Sequence, residues 1–252
     1  MIECLSVRSD TPGSHVHNLA SQMRAGTLGA VVIEGILAPK TCSDIIKRLL
    51  DESEPAGEPL PNYQTYGEVL LMASALDAYR EKGQTLADTL ACFDIETKLL
   101  KGLQVFGGDS PVSPFVTNEP YPLYTVRALQ VNGEIPVHSE RADWPLMTEH
   151  RGHLDLGQQF SFYIPLQLPA AGGELVLYEQ RPEAAISELS SAEVDALLRP
   201  GGAETVRVEP GDLLIFDAGR YNHRVTEVTV GPPRWTLGGF LAFGKHGLAA
   251  WS

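Results

Sequence analysis

The sequence predicts an α+β chain that is mainly β, with a helical supporting part (1–110) followed by a strand-rich part (111–252). Three observations point there. Between residues 66 and 106 apolar residues recur at helical spacing, among them Val69, Leu70, Leu76, Tyr79, Leu86, Leu90, Leu99 and Leu103. After Gly107-Gly108-Asp109 the pattern changes to short β-like runs separated by turn residues. Strands of that length and regularity favour a sandwich or a closed barrel, and helices preceding them give an α+β arrangement. At 252 residues the chain can bury a sizeable core, and β-rich folds of this length commonly form one domain. A single domain, 1–252, is expected.

Residues 1–27 are mixed and polar. His15 and His17 sit there among Pro12, Gly13, Ser14 and Asn18, a turn-rich stretch that argues against a paired metal site. The β-branched run 29–35, bounded by glycines, reads as a strand, and Pro39 then introduces a helix over 40–50 with Ile45, Ile46, Leu49 and Leu50 on one face. The segment 51–61 carries Pro55, Pro59 and Pro61 with four acidic residues and no apolar face, so it reads as a surface loop. Gly83 is expected to break the following helical pattern into two helices. Strands are expected at 123–131, 160–168, 174–178, 205–208, 212–216, 223–230 and 234–243. A helical insert falls within 182–198, where Ser190 or Ser191 followed by Glu193 marks a helix start.

The formal net charge of −13, without a Lys/Arg run, offers little to a phosphate backbone or an anionic membrane surface. Neither nucleic acid nor membrane is expected as a partner. Cys4, Cys42 and Cys92 are an odd count without metal-type spacing, and residues 1–4 lack a basic segment leading to an apolar one. They read as reduced thiols of a soluble, cytoplasmic protein. No apolar run reaches the roughly 20 residues needed to span a bilayer.

The chemistry concentrates in His138-Ser139-Glu140. Two residues apart on an extended segment project to one face, so His138 and Glu140 stand side by side. A second histidine from a distant strand, His223, would complete a two-His-one-carboxylate face of the kind that holds non-haem Fe(II) with positions left open. The triplet alone is weak, because such triplets arise by chance. Its context is better: a strand and the Asn132-Gly133 turn precede it, and a long polar loop over 141–157 follows, where binding residues concentrate. Downstream, the Pro210-Gly211-Asp212 turn feeds Leu213-Leu214-Ile215-Phe216 and then His223, and Arg234 follows eleven residues later with Thr236 on the same strand face. A guanidinium fork beside a hydroxyl suits a carboxylate, here that of a dicarboxylate co-substrate.

Together with the strand 160–166 and Gly172-Gly173-Glu174-Leu175, these pieces resemble the Fe(II)- and 2-oxoglutarate-dependent dioxygenases of the prolyl-4-hydroxylase-like branch, over about 123–243 and more loosely from residue 33. The resemblance implies a double-stranded β-helix, or jelly roll, with supporting N-terminal helices. It implies Fe(II) bound by His138, Glu140 and His223, 2-oxoglutarate anchored at its distal carboxylate by Arg234 and Thr236, and O2 as oxidant. Two departures stand out. Most members of the branch carry Asp at the place of Glu140, which is one methylene longer. Gly or Ala there would suggest a halogenase, since losing the carboxylate opens a halide position, so Glu140 argues for hydroxylation or another oxidation. The family also often places a co-substrate-contacting Tyr near the position of Gln130, and Gln130 or Arg127 is expected to take that part.

Asp143 is a competing carboxylate, but five residues from His138 no strand face aligns the two. His150 and His153 read equally as loop residues over the site or as solvated histidines. Arg141, Trp144, Arg220, Tyr221 and Arg224 flank the ligands and are candidate substrate contacts, and the several arginines suggest a carboxylate-bearing substrate. A small molecule such as an amino acid or natural-product intermediate is expected. The alternatives are a protein or peptide side chain as substrate, or a jelly-roll metal-binding or sensor protein without oxygenase activity.

Overall fold

In the computed structural model, which describes residues 1–8, 18–140, 152–179 and 189–252, helices and strands alternate through the first half and strands dominate the second. The elements are β1 (Cys4–Arg8), α1 (Leu19–Ala25), β2 (Ala30–Glu34), α2 (Pro39–Glu52), β3 (Gly57–Leu60), β4 (Tyr63–Tyr66), α3 (Leu76–Leu90) and α4 (Ile95–Gly107). There follow β5 (Val112–Pro114), β6 (Thr125–Leu129), β7 (Ile135–His138), β8 (Leu154–Gln167), β9 (Leu175–Tyr178), α5 (Ser191–Leu198), β10 (Ala203–Val206), β11 (Leu213–Phe216), β12 (Asn222–Val225), β13 (Arg234–Gly244) and β14 (Gly247–Trp251).

Two sheets result. The larger runs β1-β2-β11-β8-β13-β6-β4-β3, with β14 on β13 and β5 on β14, and the smaller runs β10-β9-β12-β7. They face each other: Ala30, Val32, Leu214 and Phe216 of the larger sheet pack against Leu175, Leu177 and Val206 of the smaller. This is the jelly-roll arrangement, realised as an open two-layer sandwich and not as a closed barrel.

The period of two along β8 decides what lies on each side. Phe160, Phe162, Ile164 and Leu166 pack with Leu19, Met23, Ile45, Leu49, Leu99, Leu103 and Phe106 of the helices. The alternate residues Ser161 and Tyr163 face the other way, into the space between the sheets. The same division runs along β13: Trp235, Leu237 and Leu241 belong to the helix-side core, while Arg234, Thr236 and Gly238 line the interior. The helices thus back the sheet that presents the inner face.

The structure corrects the expected elements in several places. Segment 51–61 contains β3, which pairs with β4 through Gly57–Thr65 and Leu60–Tyr63, because edge pairing needs backbone and not an apolar face. Strands β1, β4, β5 and β14 and helix α1 arise where no strand or helix was expected, and the extended segment expected at His138 is β7 but ends before Glu140; β1 is held by parallel pairing with β2. At the other end, α5 starts as the sequence indicates, with Ser190 and Glu193 forming a reciprocal capping box.

Gly83 does not break a helix: α3 runs through it, and the chain turns instead at Ala91–Phe93 before Asp94. The glycine permits close approach, since a Cβ there would lie 2.2 Å from Pro122 Cγ. Gly-to-Ala in a helix interior ordinarily stabilises by about 1 kcal/mol. Here the overlap reverses the sign, and Gly83→Ala is expected to cost about 1–3 kcal/mol in urea unfolding. A gain in stability would contradict the packing.

Candidate functional site

His138 ends β7 and His223 lies in β12, where the two are direct cross-strand partners. Antiparallel pairing therefore sets side by side two residues 85 positions apart in the chain (223 − 138), and their ring centroids lie 4.2 Å apart. Glu140 follows β7 and is tied by its backbone N–H, which donates to the Ala218 carbonyl at 3.0 Å. The donor atoms of His138, Glu140 and His223 all fall within 4.8 Å of one another.

The ring orientations follow from the backbone. His138 Nδ1 lies 2.7 Å from the Pro136 carbonyl, and His223 Nδ1 lies 3.1 Å from the Tyr221 carbonyl. In each case Nδ1–H donates to a carbonyl two residues back, which leaves Nε2 with its lone pair free, the tautomer a metal requires. His138 Nε2 lies 3.6 Å from Glu140 Oε1. Phe216 packs edge-on against His223 at 4.9 Å and limits its rotation.

Charge in this group is uneven. Burial disfavours a charged His138, but the hydrogen bond and charge of Glu140, with the Pro136 carbonyl, outweigh it and hold the imidazole above its ordinary 6.5. Burial works against Glu140 likewise, yet His138 holds its carboxyl below the usual range, helped by His223 and Arg127. Burial, reinforced by the His138 charge, pushes His223 down to about 3. His223 is therefore a ready neutral ligand, whereas below its raised pKa His138 must lose a proton before it can bind a metal. Metal affinity is expected to fall as pH drops through the raised pKa of His138, approaching tenfold per pH unit below it. Ni(II) titrations between pH 8.5 and 6 check this, and a flat profile would contradict it.

The group faces an interior cavity that also receives Arg127, Ser161, Tyr163, Arg234 and Thr236. Arg234 and Thr236 are 5% and 4% exposed. The Arg234 stem passes Gly173, held at φ +75°, where a Cβ would stand 3.1 Å from Arg234 Cδ. Its guanidinium lies 4.9 Å from the Tyr163 ring centroid, and its charge offsets part of the rise that burial imposes on the Tyr163 hydroxyl. Among the described residues Arg234 has no carboxylate partner, and its buried Nε is without a hydrogen bond. A buried guanidinium in that state calls for an anion. The donor set of two free Nε2 atoms and one carboxylate fits a divalent transition metal, and the orphaned arginine fits a bound carboxylate.

Of the two expected co-substrate contacts near the strand before His138, Arg127 lines this cavity, with Nε donating to Thr125 at 3.1 Å and a buried Nη2 without a partner among the described residues. Gln130 reaches toward Gln64 instead. Arg220 is engaged by Asp217 and the Arg24 carbonyl, and Arg224 by the Ser191 carbonyl and Glu134. Tyr221 packs beside Gly29 and serves the site through its carbonyl to His223. None of these three side chains lines the interior cavity, and His153 stands in the turn before β8. His15, His17, Arg141, Asp143, Trp144 and His150 lie outside the described residues. Tyr163 is the residue that sequence reasoning missed; its signal was the alternation of Ser161 and Tyr163 with Phe160, Phe162 and Ile164.

A larger surface cleft of about 810 Å³ lies between α3 and residues 114–124, lined by Asp77, Glu81, Glu96 and Glu119 among others. Size alone would favour it. It contains none of the convergent ligands, so the chemistry places the site between the sheets.

Comparison with known proteins agrees with this geometry. A family model described as "Carrier-protein-independent halogenase WelO5" matches residues 6–252. No curated protein matches. Among solved structures, an N-substituted L-amino acid dioxygenase from Burkholderia ambifaria AMMD is similar at 17% identity, with 93% of this chain and 90% of that chain covered and a TM-score of 0.54. The non-heme alpha ketoglutarate dependent epimerase SnoN from nogalamycin biosynthesis is similar at 16% identity over 89% and 84%, TM-score 0.53. A 2OG-Fe(II) oxygenase family oxidoreductase from Burkholderia pseudomallei is similar at 14% identity over 99% and 98%, TM-score 0.52. At these identities the three structures establish a shared fold.

Proposed function

The chain belongs to the family of the carrier-protein-independent halogenase WelO5 and is a non-haem Fe(II)- and 2-oxoglutarate-dependent enzyme; from that premise we propose that it is an oxygenase of small molecules and not a halogenase. One observation carries the distinction. Glu140 places a carboxylate beside His138 and His223, at the position that a halogenase must leave open for halide. Three protein ligands would leave metal positions for the co-substrate and O2.

In this reading His138, Glu140 and His223 hold Fe(II), and their carbonyl partners at Pro136 and Tyr221 fix the two imidazoles as neutral ligands. Arg234, Thr236 and Tyr163 would bind the distal carboxylate of 2-oxoglutarate, and Arg127, in the same cavity, would be a second co-substrate contact. Bound there, iron with 2-oxoglutarate and O2 supplies an oxidant for an unactivated C–H bond, the keto acid leaving as succinate and CO2. The surrounding residues contribute orientation and exclusion of water: Phe216, Leu175 and Val225 wall the interior, and the helices close the back of the sheet. Free substrate is supported by the family description, which excludes a carrier protein. The three unpaired cysteines are compatible with a reducing, cytoplasmic setting, and among the described residues no helix is long and apolar enough to cross a membrane. The whole chain, 1–252, would act as one domain.

The test is bromide binding. Crystals of the Ni(II)- and 2-oxoglutarate-loaded protein soaked in bromide are expected to show no anomalous bromine peak at the metal in wild type and one in Glu140→Ala. A bromide on the wild-type metal would overturn the assignment of Glu140.

A further inference from the structure

His138 and Glu140 border two chambers. One is the interior cavity with Arg234; the other, about 240 Å³, is walled by Tyr63, Val69, Leu71, Met72, Ile135 and Phe240. Arg127, Ile135, His138 and Glu140 belong to both. The candidate metal face therefore borders both the compartment that holds Arg234 and a mainly apolar one.

The apolar chamber has a fixed lip. Leu71 and Met72 are 46% and 49% exposed, although they sit on a 3-10 turn, Leu70–Met72, that is firmly tied. Leu70 is buried, its N–H donates to the Ser252 carbonyl at 3.1 Å, and the Met72 N–H donates to the Val69 carbonyl at 2.8 Å. Large apolar side chains held at the rim of a pocket, beside a reactive centre, mark a surface that is covered in use. Besides the two candidate ligands, Arg127 is the only charged described residue in the wall, and its guanidinium is bonded to Thr125 and lies over the Phe240 ring at 5.8 Å. With the free Arg127 Nη2 engaged by the co-substrate, a carboxylate or ammonium entering here would lose its water without gaining a partner among the described residues.

We propose that the primary substrate presents a neutral, hydrocarbon-rich portion to the metal, and that Tyr63, Leu71, Met72 and Phe240 select it by shape and apolar contact instead of by ion pairing. This rests on the co-substrate occupying the Arg234 side and engaging Arg127, as argued above. It differs from the carboxylate-bearing substrate expected from the sequence. Of the arginines that suggested one, Arg220 and Arg224 are bonded elsewhere, and Arg141 lies outside the described residues.

The test uses full-length protein loaded with Ni(II) and 2-oxoglutarate, titrated calorimetrically with 2-naphthol, 2-naphthoate and L-phenylalanine. 2-Naphthol is expected to bind roughly tenfold or more tightly than either charged probe. Leu71→Asp and Met72→Asp, both at exposed positions, are each expected to weaken 2-naphthol about tenfold while leaving 2-oxoglutarate affinity unchanged, which also shows that the variants are folded. Failure of 2-naphthol to bind, equal or tighter binding of a charged probe, or indifference of 2-naphthol to both variants would overturn the proposal. The separate 2-oxoglutarate titration reports on the co-substrate site, so its failure is distinguishable from failure of the apolar chamber.

Discussion

His223→Ala is expected to lower affinity for Fe(II) or Ni(II) at least about 100-fold, beyond the 10- to 100-fold that loss of a mere supporting group causes, and to abolish 2-oxoglutarate turnover. The reasoning is geometric. His223 is 4% exposed and already neutral, with Nδ1–H committed to Tyr221 and Nε2 facing His138 and Glu140. It contributes a preformed ligand, and no other described histidine or cysteine stands near enough to replace it. His223→Gln, which keeps much of the volume, guards against a trivial loss of packing. Both variants should show near-wild-type circular dichroism without metal, and isothermal titration with Ni(II) reads the loss. Retained affinity in both would remove His223 from the site.

The second large effect is at Arg234. In Arg234→Met the affinity of the Ni(II)-loaded protein for 2-oxoglutarate is expected to fall by the amount typical of breaking a buried charge pair, about 2–5 kcal/mol, or roughly 30- to several-thousand-fold. Arg234→Lys keeps the charge but loses the planar fork and should fall between. Without co-substrate the sign on stability is the opposite. A buried guanidinium without a carboxylate partner is a cost to the fold, so Arg234→Met should unfold at the same urea concentration as wild type or a higher one. Lost binding with retained or increased stability distinguishes a ligand-binding cation from a structural one. Equal 2-oxoglutarate affinity in wild type and Arg234→Met would contradict the role.

The two kinds of pattern in the sequence differ in how far they reach. Period-two alternation along 160–167 and the Pro210-Gly211-Asp212 turn are local; they locate β11 within a residue and the C-terminal part of β8, which begins earlier, at Leu154, within the stretch expected to be a loop. The pairing of His138 with His223 is a cross-strand contact between segments separated by β8, β9, α5, β10 and β11. No local rule states it; the resemblance to the dioxygenases supplied the connection. Gly83 was misread because a glycine's lack of a side chain serves helix breaking and close packing alike, and only the position of Pro122 decides between them.

Arg220 and Tyr221 were proposed as substrate contacts for adjacency to His223. In the turn after β11 the chain directs the Arg220 guanidinium to Asp217 and the Arg24 carbonyl, so adjacency in sequence did not carry over to the cavity. Tyr163 shows the converse. It sits in a run dominated by apolar residues, yet its parity with Ser161 sends it to the inner face beside Arg234. The apolar chamber could not be read at all, since Tyr63, Met72, Ile135 and Phe240 come from four separate stretches of chain.

The most direct test of the account is the visible metal-to-ligand charge-transfer absorption that appears when 2-oxoglutarate chelates protein-bound Fe(II) under anaerobic conditions. Wild type is expected to develop the band on addition of 2-oxoglutarate, His223→Ala to lack it, and Arg234→Met to develop it only at much higher 2-oxoglutarate concentration. No band in the iron-loaded wild type, or a band of equal strength in His223→Ala, would contradict an Fe(II) centre formed by His138, Glu140 and His223.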